Sequence, residues 1–269
     1  MFFLIATLAL SFENNNPLRL WYTLPTSEMP INRATYGSNN AWQQNTLPIG
    51  NGFIGANIYG EIKDERITFN ELTFREGGPS TSRPNYNGGN INEKGQNGAT
   101  LRRIQQLFAE HKNEEASTMC NELVGERDGY GTYLEFGEIK ITFNLDKSQA
   151  TDYVRFLDLD EAITYVQYKY QQSTISREYF ISHPDNVFVI QINSTNGPIP
   201  DFTVWFGTYV NSASKSVTSN GNTIILSGDL DDNQLRYHGQ ITVSTTTGQV
   251  TANNGELKIS GSSQCFLYI

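Results

Sequence analysis

Two runs decide the fold: Ala162-Ile163-Thr164-Tyr165-Val166-Gln167-Tyr168-Lys169-Tyr170, and Thr174-Ile175-Ser176-Arg177-Glu178-Tyr179-Phe180-Ile181-Ser182. Both are rich in β-branched and aromatic residues, alternate in polarity, and are joined by the polar Gln171-Gln172-Ser173. Period-two patterning of this kind specifies strands with one buried face. Working outward, Glu138–Phe143 alternates with Ile139, Ile141 and Phe143 on one side. Asn186–Asn193, Phe202–Val210, Thr223–Ser227, Gly239–Thr245 and Gly255–Ile259 are further strands on the C-terminal side. On the N-terminal side stand Leu18–Tyr22 and a hairpin of Gly55–Tyr59 with Arg66–Asn70 across a turn at 60–64. Strands at this spacing, with turn residues between them, predict a mostly-β protein, a large β-sandwich.

One segment departs from the pattern. Leu101, Ile104, Leu107 and Phe108 recur at helical spacing, with Thr100 as N-cap. Ala116, Met119, Cys120 and Leu123 share a second face, and Gly125 is the natural stop. The expectation is a short helical insertion, broken near Lys112-Asn113. Residues 77–99, rich in Gly, Asn, Pro and Ser, are read as a long loop.

The chain has 269 residues, 38% apolar and 12% aromatic, enough for a substantial core. Its net charge of −9, without a Lys/Arg-rich block, argues against nucleic acid and anionic membranes as partners. Residues 1–16 are read as a signal peptide and leader, with the short apolar run Met1–Leu10 and Ala9-Leu10-Ser11 as cleavage site. The alternative is a buried N-terminal strand. Residues 17–269 then form one sandwich domain, in a secreted or lysosome-like compartment. The sequon Asn193-Ser194-Thr195 is compatible with secretion. Cys120 and Cys265 are two cysteines without metal spacing; they pair in an oxidising compartment or serve as small core residues.

Catalytic constellations are scarce. His111, His183 and His238 have no metal-ligand spacing and read as surface or loop residues. There is no nucleophile elbow and no phosphate-cradling loop, so no cofactor or metal is expected. Candidate carboxylates are Glu71, Glu76, Asp158, Asp160 and the acidic turn Asp229-Leu230-Asp231-Asp232, the last favoured as a solvated loop. Exposed Tyr130, Tyr133 or Trp205 would serve a sugar-binding module.

Five blocks in order resemble the N-terminal domain of family 95 glycoside hydrolases. They are Leu47–Ala56 (similar to A-L-P-L-G-N-G-x-L-G-A), Glu65–Pro79 (E-R-I-x-L-N-E-D-T-L-W-S-G-G-P) and Tyr133–Ile139 (Y-Q-P-L-G-D-L). Asp152–Ala162 is similar to D-Y-x-R-x-L-D-L-x-x-A, and Arg177–Ser182 to T-R-E-x-F-x-S. The resemblance implies a supersandwich ahead of an (α/α)6 barrel that carries the catalytic carboxylates of an α-L-fucosidase. On that expectation the chain is a truncated hydrolase, inactive alone, with no catalytic residue of its own. Its partners would be a fucosylated glycan or a helical catalytic domain. The alternative is a stand-alone carbohydrate-binding or interaction module. Family 65 phosphorylases, which share the layout, are the rival resemblance. Asn70, Glu71, Gly77 and Gly78 are the candidates for a domain-interface or substrate-rim role; otherwise Asn70 and Glu71 cap a turn. Arg155 with Asp158 or Asp160 would form an ion pair at the start of a strand, and Gly50-Asn51-Gly52 would supply positive φ. Arg75 stands where the family has Trp, which puts any stacking role there in doubt.

Overall fold

The computed structural model describes residues 17–30, 41–84, 86, 96–123 and 129–269. The expected leader, Gly125 and part of the long loop lie outside them. Two antiparallel sheets face each other. The nine-stranded sheet has the order β1-β6-β7-β8-β9-β16-β13-β12-β11. Here β1 is Arg19–Tyr22, β6 Ala150–Asp158, β7 Ile163–Tyr170, β8 Ser173–Ser182 and β9 Val187–Thr195. The remaining strands are β16 (Gln264–Tyr268), β13 (Arg236–Thr245), β12 (Thr223–Asp229) and β11 (Ser216–Asn220). The seven-stranded sheet runs β14-β15-β10-β5-β4-β3-β2. Its strands are Gln249–Asn253, Glu256–Ser260, Phe202–Gly207, Gly137–Phe143, Asp64–Glu71, Ile54–Ile58 and Leu47–Gly50, in that order.

Alternation becomes burial as expected. The β7–β8 hairpin pairs Thr164 with Tyr179, Val166 with Arg177 and Tyr168 with Ile175, and all six side chains are buried. Opposite them, Ile139, Ile141 and Phe143 of β5, Ile67 and Phe69 of β4 and Val204 and Phe206 of β10 complete one core. Each such side chain contributes roughly 1.5–3 kcal/mol by leaving water.

The helical insertion has a small core of its own. Ile104 and Leu107 of the helix Ala99–Ala109 meet Ala116 of the helix Asn113–Met119, with Met119, Cys120 and Leu123 packed beside them. The break falls where the sequence places it, but the cap does not. Gly98, at φ 88°, takes the N-cap position, and Thr100 lies buried inside the first turn. An N-cap side chain needs an extended backbone, whereas the chain turns here through left-handed Asn97 and Gly98. Leu101 and Phe108 remain exposed, because the second helix is too short to cover the whole apolar stripe.

Candidate functional site

Three of the sequence blocks meet between the sheets. Glu65, on the inner face of β4, accepts hydrogen bonds from Arg177 Nη1 at 2.8 Å and Gly60 N at 2.9 Å. Arg177 also donates through Nη2 to Glu61 O at 2.6 Å, and neither charged side chain is exposed. Arg155, wholly buried, donates to Leu24 O at 2.9 Å, and its guanidinium lies over the Tyr22 ring. Tyr153 Oη donates to Gly60 O. Burial pushes the Glu65 carboxyl from its ordinary 4.5 up to about 7, against the pull of Arg177 and the Gly60 N–H. At Arg177 burial opposes the charge, but Tyr179 and Glu65 outweigh it and hold the guanidinium protonated. The expected Arg155–Asp158 pair does not form: Arg155 points into the sandwich, while Asp158, on the other face of β6, binds Arg19 at 2.8 Å. That follows from strand alternation, since residues three apart lie on opposite faces.

The candidate residues Asn70 and Glu71 stand at the other end of β4. Asn70 Oδ1 accepts from Glu71 N, and Glu71 Oε2 accepts from Thr73 N and Oγ1, at 2.9, 2.9 and 2.6 Å. These contacts cap the turn that leaves the strand. The next residue inward, Phe74, is buried against Phe136 and Tyr237, so Arg75 faces solvent and donates to Tyr130 O. In the first block only Gly52 has positive φ, while Asn51 ties its hairpin to Ser182 O and Asn186.

Gly77 and Gly78 sit in a knot of three loops. Gly77 N donates to Asp232 Oδ2 at 2.8 Å, and Gly78 N to Gly129 O at 2.8 Å. Asn233 Nδ2 donates to the carbonyls of Arg75 and Gly77. Arg83 grips Asp232 in a bidentate pair at 2.7 and 2.8 Å and donates to Gly78 O. The Arg83 hydrogen bond, with that of Gly77 N, holds the Asp232 carboxyl below the usual carboxylate range. A Cβ on Gly77 would come 2.5 Å from Gly131 Cα, so the two backbones pass where only glycines fit. The acidic turn is therefore committed to the protein: Asp229 binds Arg236, Asp231 accepts from Ala213 N, and Asp232 anchors the knot. The solvated loop expected there misses Asp232 above all, whose partners Gly77 and Arg83 lie some 150 positions away in the chain. Arg83, Gly129, Gly131 and Asn233 carried no local signal.

The knot presents Tyr130 and Tyr133 to solvent, 71% and 61% exposed. Trp205, on the outer face of β10, is already engaged. Lys140 Nζ lies 4.8 Å from its ring centroid and donates to Tyr209 Oη at 3.1 Å, and Gly207 packs against the indole. His111, His183 and His238 are all exposed. Cys120 and Cys265 are free thiols, one half-buried and one in the core. Among the described residues, no three His, Cys, Asp or Glu side chains gather as a metal site requires, and no helix is long and apolar enough to cross a membrane.

Fold and loops together define a two-sheet antiparallel β-sandwich domain with tyrosines displayed on loops tied together at one end. The chain belongs to the family described as glycosyl hydrolase family 65, N-terminal domain, whose model matches residues 20–269. It is 31% identical over 192 residues to the probable alpha-fucosidase A of Aspergillus niger, covering 71% of this chain and 23% of that protein. It is 26% identical to alpha-L-fucosidase 2 of Arabidopsis thaliana, covering 80% of this chain and 24% of that one. With the probable alpha-fucosidase A of Aspergillus oryzae the identity is 25%, over 82% and 30% of the two chains. The chain thus spans about a quarter of the length of the curated relatives it matches. The expectation of a glycoside hydrolase N-terminal domain with fucosidase relatives is borne out, under the family 65 description.

Proposed function

We propose that this chain is the non-catalytic N-terminal domain of an α-L-fucosidase-like hydrolase of the family 95 type, inactive alone. The observation that carries this reading is that curated fucosidases match over about a quarter of their own length, leaving most of each relative for other domains. The loop knot supports it physically. Gly77 and Gly78 are fixed by Asp232, Asn233 and Arg83, so Tyr130, Tyr133 and Arg75 form a preorganised rim for a helical catalytic domain or its fucosylated glycan. Asn70 and Glu71 act by holding the turn that carries this rim. We place the protein in a secreted or lysosome-like compartment, on its apolar N-terminal run and sequon.

The decisive assay is hydrolysis of 2′-fucosyllactose by the purified chain. No turnover is the expected result. Turnover that survives purification to homogeneity would place an acid and a base within these 269 residues and overturn the proposal.

A further inference from the structure

The sandwich carries a groove far from the loop knot. It lies beside Asp64, the opposite end of β4 from Glu71, which puts the two about 23 Å apart along an extended strand. Its volume is about 550 Å³, within the range of about 300–1,000 Å³ typical of small-molecule sites.

We infer that this groove binds a neutral saccharide unit, a second carbohydrate contact separate from the rim at the loop knot. The inference rests on the carbohydrate-handling reading above and adds a site to it. Pro25, Ile62 and Leu145 give the groove an apolar part. Around them stand four carboxylates (Glu28, Glu61, Asp64 and Asp146) and three cations (Lys63, Arg66 and Lys147). Such a near-balanced lining suits neither a phosphate nor a polycation. It suits a ligand with an apolar face and hydroxyls around its edge, which carboxylates and ammonium groups can bind from both sides.

The walls are preformed. Thr26 donates to Tyr59 O through both N and Oγ1, and Ser27 does the same to the Glu61 carboxylate at 2.8 and 2.7 Å. Arg66 is held by Glu138 at 2.5 Å and lies over the Tyr59 ring. Behind the groove the buried Arg177 clamps Glu61 O, so the turn at 60–62 rests on the ion network between the sheets. Lys63 and Asp64, adjacent on the rim, make no side-chain hydrogen bond or ion pair among the described residues, and both are exposed. They are the groups left to receive a ligand.

Calorimetric titration of the full chain with lactose, 2′-fucosyllactose and inorganic phosphate tests this. A neutral sugar is expected to bind with a Kd of about 1 mM, and phosphate not to bind. The exposed double variant Lys63→Ala/Asp64→Ala should weaken the sugar at least about tenfold. Leu101→Ala, exposed on the helical insertion, should leave it unchanged. Circular dichroism checks that both variants fold. Three results would overturn the inference: no sugar binding by the unaltered chain, unchanged binding in the Lys63/Asp64 variant, or preference for phosphate. Turnover of 2′-fucosyllactose would sink the earlier proposal alone, since the groove stands or falls by its own variants.

Discussion

Gly77 and Gly78 are chain neighbours with nearly equal backbone angles, φ +90° and +80°, yet their surroundings differ completely. A Cβ on Gly78 meets nothing within 4 Å. A Cβ on Gly77 meets Gly131 Cα at 2.5 Å, Gly131 N at 2.7 Å and Gly129 O at 2.8 Å. Gly78→Ala therefore incurs only the left-handed backbone penalty, about 1–2 kcal/mol. Gly77→Ala incurs the same penalty and also drives two backbones apart by about 1 Å, because carbon atoms settle at about 3.5–4.0 Å. Overpacking of that kind costs about 1–3 kcal/mol. The parting also strains the hydrogen bonds Gly78 N to Gly129 O and Glu76 N to Thr132 O, each worth about 1 kcal/mol. The expected losses are about 1–2 kcal/mol for Gly78→Ala and about 3–5 kcal/mol for Gly77→Ala. Urea unfolding followed by tryptophan fluorescence reads both. If the two variants agree within about 0.5 kcal/mol, the close passage is not a constraint and the loop knot is looser than its hydrogen bonds indicate.

Three further outcomes follow from the interior. Thr164 is fully buried and its Oγ1 has no hydrogen-bond partner among the described residues, so Thr164→Val should stabilise by about 1 kcal/mol in urea melts. A net loss would mean that the hydroxyl is served by an internal water. Glu65 titrates at about 7 when folded against 4.5 otherwise. A carboxyl raised in this way contributes stability that is fully present below 4.5 and lost as the pH rises through 7. Between those limits the unaltered chain should lose a few kcal/mol relative to Glu65→Gln; parallel stability curves would refute the shift. Burial pushes the Cys265 thiol up to about 12, so thiol reagents at pH 8 should label Cys120 in the native protein and Cys265 only after unfolding.

What the sequence made legible was whatever repeats locally. The alternation of Ala162–Ser182 and Glu138–Phe143 gave the strands, and the helical spacing of Ile104, Leu107 and Ala116 gave the insertion. Strands β11 (Ser216–Asn220) and β14 (Gln249–Asn253) went unseen because both are edge strands with polar, half-exposed residues, so no apolar face marks them. The loop knot was only half visible. Glycine pairs advertise unusual backbone, but the partners of Gly77 come from Gly129–Gly131 and Asp232, and nothing local announces which loops will meet.

The buried network shows why short blocks identified the family when no single block carries chemistry. Glu65, Arg155, Tyr153 and Arg177 belong to three separate blocks, and each is charged or polar at a position where alternation alone calls for an apolar residue. Any one of them alone between the sheets would be costly, since an unpaired buried charge destabilises by several kcal/mol. Glu65, Arg177 and Tyr153 are tolerable together: one carboxylate satisfied by a guanidinium and a turn N–H, and one turn carbonyl satisfied by a tyrosine, while Arg155 is held separately by Leu24 O. A substitution in one block therefore carries a penalty that only changes in the others can relieve. That mutual dependence fixes how the two sheets register on each other, and it holds the Gly60–Ile62 turn that forms a wall of the groove. In this sandwich the signature residues Glu65, Tyr153 and Arg177 are thus an internal frame, and the turn they hold carries Lys63 and Asp64 at the groove's edge.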